Sequence, residues 1–315
     1  MRELKGRWAL VTGAAGGIGR AIAHTLAERG MHLWLIDRND AALSQVEQEV
    51  RSRSVEARPI VADLTVTSDV EAIARCVLAS RVGVDVLVNN AGIAYYGGTH
   101  KMSDEQWDQL MAVNLLAPIR LTRRLLTHLR QRPEAHIVNM CSVAGLVAGG
   151  RFTAYHTSKF GLVGFSHALR AEYTRKGLGV TAVCPGAVRT NLYRNCRTVE
   201  GDGAPEPPRW LAASPEQVAA ATLKGILRNK RQVIVTPTAH ALFQLHRFVP
   251  GLLDLINTVS RRSLPWYKGK PLHVPTIFPV EDAAVEDEEV LDDRPATLPW
   301  PITLASAATR QRRAA

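Results

Sequence analysis

Short apolar runs alternate with amphipathic segments along the first 238 residues. The continuous runs predict strands buried on both faces, and the spacing of apolar residues between them predicts helices. The predicted strands are 7–12, 31–36, 58–62, 84–88, 135–140, 180–184 and 233–236; the predicted helices are 17–29, 40–51, 68–80, 104–130, one carrying Tyr155 to about 175, and 214–228. Strands that alternate with helices in this way indicate crossover units, hence a parallel α/β sheet.

The alternation ends after residue 238. Apolar residues between 242 and 259 are spaced as two helix faces separated by Pro250, and they predict a helical C-terminal extension over 239–275. Nearby arginines make peripheral membrane contact through 239–262 one hypothesis. Covering the ligand cleft, or packing on the chain itself or on a second subunit, are the alternatives. The segment 276–315 begins with an acidic stretch, is rich in Pro and Ala, and is predicted to be a mobile tail.

Composition argues against several classes of protein. The net charge is +10, but no Lys/Arg-rich block with interleaved aromatics is present, so nucleic-acid binding is not expected. The four cysteines show neither CxxC pairing nor metal spacing, and the ten histidines form no metal motif. These features predict no metal and a reducing compartment. Without an apolar signal or a spanning run, we expect a cytoplasmic protein, peripheral membrane association being the alternative.

A glycine-rich turn joins the first predicted strand to the first predicted helix. It runs from Thr12 through Gly13 and Gly17 to Ile18 and Gly19. Backbone N–H groups at such a strand–turn–helix junction can bind a pyrophosphate. The turn therefore predicts a dinucleotide site.

A phenol and an ammonium lie on one face of a predicted helix, because Tyr155 and Lys159 are four residues apart. A nearby positive charge favours the phenolate, so the spacing predicts a lowered pKa for Tyr155. A tyrosine tuned in this way exchanges a proton with an alcohol or carbonyl near neutral pH. Together with the glycine turn, the pair predicts hydride transfer with a nicotinamide dinucleotide.

Six motifs occur in the order and with the spacing of one family. They are Thr12-Gly13 with Gly17-Ile18-Gly19, Asn89-Asn90-Ala91-Gly92, Asn114, Ser142, Tyr155 with Lys159, and Pro185-Gly186. Over about residues 5–238 the chain resembles the short-chain dehydrogenase/reductase family. The resemblance implies a Rossmann-like doubly wound parallel sheet, a three-layer αβα single domain. Residues 1–238 would form the NAD(P)-binding domain, with the C-terminal extension beyond it.

The resemblance also implies the catalytic roles. Tyr155 would pass a proton to or from the substrate oxygen, and Lys159 would lower the pKa of Tyr155 and hold the nicotinamide ribose. Ser142 would orient the substrate oxygen, and Asn114 would position a water that links Lys159 to solvent. The alternatives are that Ser142 is a polar strand end and Asn114 a helix irregularity.

Cofactor contacts follow from the same resemblance. Gly13 would allow a tight turn, Gly17 a close approach to pyrophosphate, and Gly19 close packing of helix on sheet. The further contacts would be Ile18, Asn90, Ala91 and Gly92, the adenine pair Asp63 and Leu64, and the nicotinamide turn Pro185, Gly186, Val188 and Thr190. A helix-capping role for Asp63 is equally open.

The choice between the two cofactors depends on the end of the second predicted strand. Asp37 stands 18 residues after Gly19, where a carboxylate accepts hydrogen bonds from the ribose hydroxyls and repels a 2′-phosphate. NAD is therefore favoured. Arg38 could receive that phosphate, so NADP stays open.

The resemblance places substrate specificity in the loop at about 191–213 and in residues near 93–97 and 143–152. Their apolar side chains predict a hydrophobic secondary alcohol or ketone of steroid, retinoid, fatty or aromatic type. The glycines and prolines of the loop suggest a mobile lid. Relatives of this kind imply a homodimer or homotetramer. A catalytically silent nucleotide-binding regulator and a membrane-surface scaffold of the same fold remain the alternatives, and the intact set of four catalytic residues argues against the first.

Overall fold

The computed structural model describes residues 1, 3–174, 177–198, 201–204, 208 and 210–251. The strands are β1 (Trp8–Thr12), β2 (His32–Asp37), β3 (Ala57–Val61), β4 (Val86–Asn89), β5 (Tyr95–Tyr96), β6 (Ala135–Met140), β7 (Leu178–Cys184), β8 (Arg197–Thr198), β9 (Gly201–Asp202) and β10 (Gln232–Ile234). The helices are α1 (Gly17–Ala27), α2 (Asp40–Arg51), α3 (Thr67–Ala79), α4 (Asp104–Met111), α5 (Ala117–Gln131), α6 (Thr153–Tyr173), α7 (Pro215–Leu227) and α8 (Pro237–Phe248).

Seven strands form one parallel sheet in the order β3–β2–β1–β4–β6–β7–β10. The chain builds outward from β1 to β3 and then returns to β4 on the other side of β1. The order of strands therefore reverses between β1 and β4, and a crevice for ligands opens there at the carboxyl ends of the strands. The predicted doubly wound sheet is confirmed.

The sheet is apolar on both faces, as its continuous apolar strands predict. Every residue of β1, β4, β6 and β7 is buried. One face packs on α1, α2 and α7, and the other packs chiefly on α3 and α5. The edge strand β3 is buried only at Ala57, and it contains the exposed Pro59, a residue that edge strands tolerate.

The helix predicted over 104–130 is not continuous. A wide π turn, Ala112–Leu116, separates α4 from α5. Asn114 lies within this turn and is fully buried. Such a turn inserts an extra residue into the helix, often at a functional site. The prediction of one helix is therefore wrong at its centre, where the wide turn directs Asn114 inward.

A small second sheet was not predicted. Strand β8 pairs in parallel with β5 and antiparallel with β9, so part of the predicted lid is joined to the segment after β4. Strands of two residues leave no periodic pattern in a sequence, which explains the omission. The prediction of a mobile lid is not tested by this pairing.

The beginning of the C-terminal extension is helical, as predicted. Helix α8 starts at the N-cap Thr236, whose hydroxyl accepts a hydrogen bond from the Ala239 amide at 3.1 Å. Its end exposes Phe248 and Val249. The chain separates into two units, Met1–Tyr267 and Lys268–Ala315, and all described residues belong to the first. The predicted boundaries at 238 and 275 stay predictions.

No helix in the described part of the chain is both long enough and apolar enough to span a membrane. Peripheral contact through 239–262 stays a prediction, since residues from 252 onward lie outside the described ranges. The predicted tail 276–315 also lies outside them.

A buried histidine lies between β6 and β7. The Nε2 atom of His136 lies 2.8 Å from the hydroxyl of Thr181, and the ring is 1% exposed. Burial, with smaller contributions from the positive N-terminus and Arg170, lowers the pKa of His136 from 6.5 to about 3. The native state therefore holds this imidazole neutral at pH values where an unfolded chain would protonate it.

This depressed pKa predicts loss of stability in mild acid. Below pH 6.5 the imidazole of His136 binds a proton in the unfolded state, whereas in the native state it binds one only at about pH 3. The free energy of unfolding therefore falls as the pH decreases from 6.5 to 3. Between pH 7 and pH 5 the free energy of unfolding should drop by about 2 kcal/mol more in the native protein than in His136→Asn. Urea unfolding at both pH values measures this difference, and equal drops in the two proteins would contradict the assignment.

Candidate active site

Hydrogen bonds join the glycine turn to the turn that follows β4. The side-chain amide of Asn90 donates to the carbonyl oxygens of Thr12 at 2.9 Å and Gly13 at 3.2 Å. In return, the Thr12 hydroxyl accepts from the amides of Asn90 and Ala91 at 3.0 and 3.1 Å. These four bonds join the carboxyl ends of β1 and β4, which are the two strands at the reversal of the sheet.

Close packing explains two glycines of the turn. Gly13 has φ +64°, and a Cβ there would lie 2.9 Å from the Ala91 Cα. A Cβ on Gly19 would lie about 1.9 Å from the Gly13 carbonyl oxygen, so no larger residue fits without moving the turn. Ile18, also predicted as a contact, is half-buried against the core between α1 and the sheet.

The start of α1 is suited to an anion. Its N-cap, Gly16, offers no side-chain hydrogen bond, and its first turn carries no acidic residue. By contrast, α2, α4 and α7 each have a side-chain cap and at least one acidic residue in the first turn. A helix N-terminus has unpaired N–H groups and a partial positive charge. The α1 terminus therefore fits the pyrophosphate of a dinucleotide.

Asp37 lies where a ribose carboxylate was predicted, at the end of β2. Its two carboxylate oxygens accept hydrogen bonds from the amides of Ala15 and Asn39, each at 3.0 Å. A neighbouring cleft of about 540 Å³ is lined by Arg38, Asn39, Val61, Ala62, Asp63 and Asp69. The predicted adenosine residues Asp37, Arg38 and Asp63 therefore converge on one region.

Asp63 also organises its own turn. Its Oδ1 atom accepts from the amide and hydroxyl of Thr65 at 2.9 and 2.8 Å. It does not cap α3, whose N-cap is Val66. The alternative of a helix-capping aspartate is therefore wrong. Leu64, predicted to contact adenine with Asp63, is 9% exposed and packs in the core beside α3.

Tyr155, Ser142 and Lys159 meet at the carboxyl ends of β6 and β7. The Ser142 side chain lies close enough to the phenol of Tyr155 to oppose part of the rise in its pKa. The Lys159 ammonium lies 5.6 Å from the centre of the Tyr155 ring and donates to the Met140 carbonyl at 2.8 Å. The structure thus brings the predicted phenol, hydroxyl and ammonium together.

The predicted lowering of the pKa of Tyr155 is wrong for this geometry. Burial raises the pKa of the phenol above its ordinary value, and the nearby Ser142 side chain opposes that rise only in part. Burial also lowers the pKa of Lys159, whose ammonium donates to a carbonyl oxygen. Spacing along a helix predicted the proximity of the two groups correctly, but it could not show that both would be dehydrated.

Asn114 links the turn after β4 to the helix that carries Tyr155. Its Oδ1 accepts from the Ile93 amide, and its Nδ2 donates to the Ile93 carbonyl, both at 2.9 Å. The same Nδ2 lies 3.2 Å from the Ser158 hydroxyl, which donates to the Tyr155 carbonyl at 2.8 Å. Asn114 therefore lies in a helix irregularity and contacts the helix that carries Tyr155, and its role in the site stays a prediction.

Gly92, also predicted as a cofactor contact, lies between the Asn114 and Lys159 side chains. A Cβ built on it would lie 3.4 Å from the Asn114 Oδ1 and 3.6 Å from the Lys159 Nζ. Gly92 thus presents only its backbone to these two polar side chains.

The segment predicted to hold nicotinamide lies beside Ser142 and the glycine turn. The Pro185 carbonyl accepts from the Val143 amide at 2.8 Å. Gly186 packs on Thr236, and Val188 is buried and bridges to Ala213. The Thr190 side chain lies 3.2 Å from where a Cβ on Gly17 would be.

The packing of the groups around Tyr155 was not predicted, although all of them lie in the stretches 93–97, 143–152 and 191–213 that were expected to carry substrate specificity. The ring of Phe152 lies 6.2 Å from the Tyr155 ring and 5.0 Å from that of Tyr96. Leu192, Tyr193 and the buried Cys196 of the loop pack in the same apolar cluster. Tyr96 and the 191–213 loop were expected to be part of the substrate region, but no pattern identified Phe152 as their partner.

A buried polar row beneath the site was also missed. The Asn89 amide donates to Asn139 at 2.8 Å and to Thr122 at 3.1 Å, and the Asn139 amide donates to Ser166 at 2.8 Å. All four side chains are buried. Burying a polar side chain costs free energy unless it forms hydrogen bonds, and a sequence alone does not show which residues will form them.

Comparison with known proteins identifies the family. The short chain dehydrogenase family matches residues 7–201. Nodulation protein G of Rhizobium sp. (strain N33) is 36% identical over 76% of this chain and 97% of its own length.

Two solved structures share the fold. A short-chain dehydrogenase/reductase from Burkholderia phymatum, in complex with NAD, has a TM-score of 0.70 at 25% identity, covering 80% of this chain and 97% of that one. A short-chain dehydrogenase from Sphingobium yanoikuyae, in complex with NADPH, has a TM-score of 0.68 at 26% identity, covering 84% and 98%. With its ordered motifs and matching sheet, the chain is an oxidoreductase that belongs to the short-chain dehydrogenase family.

Proposed function

We propose that this protein interconverts a hydrophobic secondary alcohol and its ketone, using NAD or NADP, with Tyr155 as general acid and base. The observation that carries the proposal is the placement of Tyr155, Ser142 and Lys159 beside the glycine turn at one end of the sheet. A proton-transfer group next to a dinucleotide site is what an alcohol dehydrogenase requires.

Each residue of the site has a defined part in the proposal. The nicotinamide, when bound, accepts or supplies the hydride. The Tyr155 phenol gives its proton to the ketone oxygen in reduction, or takes one from the alcohol in oxidation. Ser142 holds that oxygen in line with the phenol. Lys159 binds the nicotinamide ribose, and Asn114 positions a water that returns protons from solvent to Lys159.

Burial changes the pKa values of both ionisable groups of the site. It raises the pKa of Tyr155, so the phenol is protonated at neutral pH and can donate to a ketone oxygen. It lowers the pKa of Lys159, which makes it easier for that group to lose and regain a proton in a relay.

The surroundings of Tyr155 support a hydrophobic substrate. Phe152, Tyr96 and Tyr193 surround the phenol with aromatic surface, and Leu192 adds an aliphatic wall. Apolar lining with few polar groups selects for apolar ligands oriented by one reactive oxygen. Steroid, retinoid, fatty and aromatic alcohols all fit this description.

Asp37 supports NAD as the preferred cofactor. Its carboxylate is fixed by two backbone amides at the end of β2, so it cannot turn away from a ribose without losing them. A fixed negative charge repels a 2′-phosphate. Among solved relatives, one binds NAD and another NADPH.

Assembly and location stay proposals. A homodimer or homotetramer through the helices near 104–130 and 152–175 is supported by the exposure of Leu116 and Phe160 there. A cytoplasmic location is supported only by sequence. A silent regulator or a surface scaffold would need no proton-transfer group, so loss of turnover in the first variant below separates them from an enzyme.

Tyr155→Phe should retain cofactor binding and lose turnover by about 100- to 10,000-fold, because it removes only the proton-transfer group. A panel of hydrophobic secondary alcohols and ketones with NAD(H) and NADP(H) provides the activity assay, and cofactor fluorescence titration provides the binding assay. Tyr173→Phe, at the far end of the same helix, is the matched control and should match the native protein. Near-normal turnover in Tyr155→Phe would refute the assignment.

Asp37→Asn should relax the preference for NAD over NADP. The amide keeps one of the two acceptors for the backbone and removes the charge that repels a 2′-phosphate. The ratio of kcat/KM for the two cofactors should shift toward NADP by about tenfold. Asp40→Asn, three residues further along and in the first turn of α2, controls for the loss of one negative charge. An unchanged ratio in Asp37→Asn would assign the preference elsewhere.

A further inference from the structure

We propose that His156 is a positioning residue, which fixes the loop carrying Ser142 against the helix carrying Tyr155. The inference deepens the proposed function, on which it rests, by naming what sets the distance between two of its catalytic groups. His156 follows Tyr155 directly in the chain and lies in the first turns of α6.

The imidazole of His156 bonds to two backbone groups of the loop after β6. Its Nδ1 atom lies 2.7 Å from the Ala144 carbonyl oxygen, and its Nε2 atom lies 3.0 Å from the Gly149 amide nitrogen. An amide N–H can only donate and a carbonyl can only accept. The geometry therefore assigns the proton to Nδ1 and leaves Nε2 without one. A single imidazole in this tautomer bonds both Ala144 and Gly149 of the loop.

The bond at Ala144 reaches Ser142 through a single residue. The Ala144 amide donates to the Ser142 hydroxyl oxygen at 3.1 Å, while the Ala144 carbonyl accepts from His156. The peptide units of Ala144 thus connect the Ser142 side chain to the residue next to Tyr155. A shift of Ala144 would therefore move the Ser142 hydroxyl relative to Tyr155.

Gly145 shows how closely this loop is packed on α6. A Cβ at that position would lie about 2.5 Å from the Lys159 carbonyl oxygen, so the loop backbone rests directly on the helix backbone. Contact at this distance sets how near the loop comes to α6. The directional bonds of His156 then set its position along the helix, which packing alone does not determine.

Two substitutions separate positioning from mere stability. His156→Phe keeps an aromatic ring of similar size and removes both hydrogen bonds. His156→Asn places an amide donor near the position of Nδ1, where it can restore the bond to Ala144 but does not reach Gly149. His240→Phe, an exposed histidine on α8, is the control for loss of a helical histidine.

We expect His156→Phe to lower kcat by about 10- to 100-fold, because a misplaced Ser142 no longer aligns the substrate oxygen with Tyr155. The Kd for NAD(H) should stay unchanged, since the glycine turn and Asp37 are untouched. His156→Asn should recover most of the lost kcat, and His240→Phe should behave as the native protein. A native kcat in His156→Phe, or equal losses in the Phe and Asn variants, would overturn the proposal.

A readout without turnover keeps this test distinct from that of the proposed function. Nitrogen-15 NMR of the histidine rings should show His156 with a protonated Nδ1 and a bare Nε2 at neutral pH. The opposite tautomer would overturn the proposal, whatever substrate the protein uses. Absence of Tyr155-dependent turnover on every substrate, with the expected tautomer observed, would instead refute the proposed function and leave the tie between loop and helix standing.

Discussion

The exchange of hydrogen bonds between Thr12 and the Asn90–Ala91 turn supports every other part of the site. It joins the two strands between which the order of the sheet reverses, and it does so with side chains at the mouth of the crevice. The glycine turn on one side and the Asn114 contacts on the other both depend on this junction. A parallel sheet leaves its carboxyl ends open, and these bonds give the open end a defined shape.

Burial affects the two ionisable side chains at the neighbouring ends of β6 and β7. Tyr155 and Lys159 lie where strands end against α6, and burial shifts both pKa values toward the neutral forms. The polar neighbours offset this only in part: Ser142 lies close to the phenol, and Met140 accepts from the ammonium. The Met140 carbonyl accepts a hydrogen bond from the ammonium but carries no negative charge. It therefore does not cancel the effect of burial, which lowers the pKa of Lys159.

The parts of the fold that could be predicted from the sequence were those that depend on neighbouring residues only, such as apolar runs and helical spacing. Buried strands such as β6 and β7 are largely apolar runs in the sequence, and the helix predicted over 214–228 is α7, Pro215–Leu227. Tyr155 and Lys159 could be proposed from side-chain chemistry and spacing, which are local, whereas Ser142 and Asn114 were implied only by the family resemblance. Features that depend on contacts between distant segments were missed. The row from Thr122 to Ser166, the pairing of β5 with β8, and the dehydration of Tyr155 all arise only when those segments meet.

At the π turn, Ala112–Leu116, the local structure depends on the number of residues in the segment and not on their side chains alone. Its wide turn accommodates one residue more than a regular helix would. If the wide turn persisted after the deletion of one residue, α5 would rotate by about 100° about the helix axis and turn its apolar face away from the sheet. If the turn closed into regular helix instead, α5 would keep its orientation and Asn114 would lose its bonds to Ile93. The number of residues in this segment is therefore as much a condition of the site as the side chain of Asn114 is.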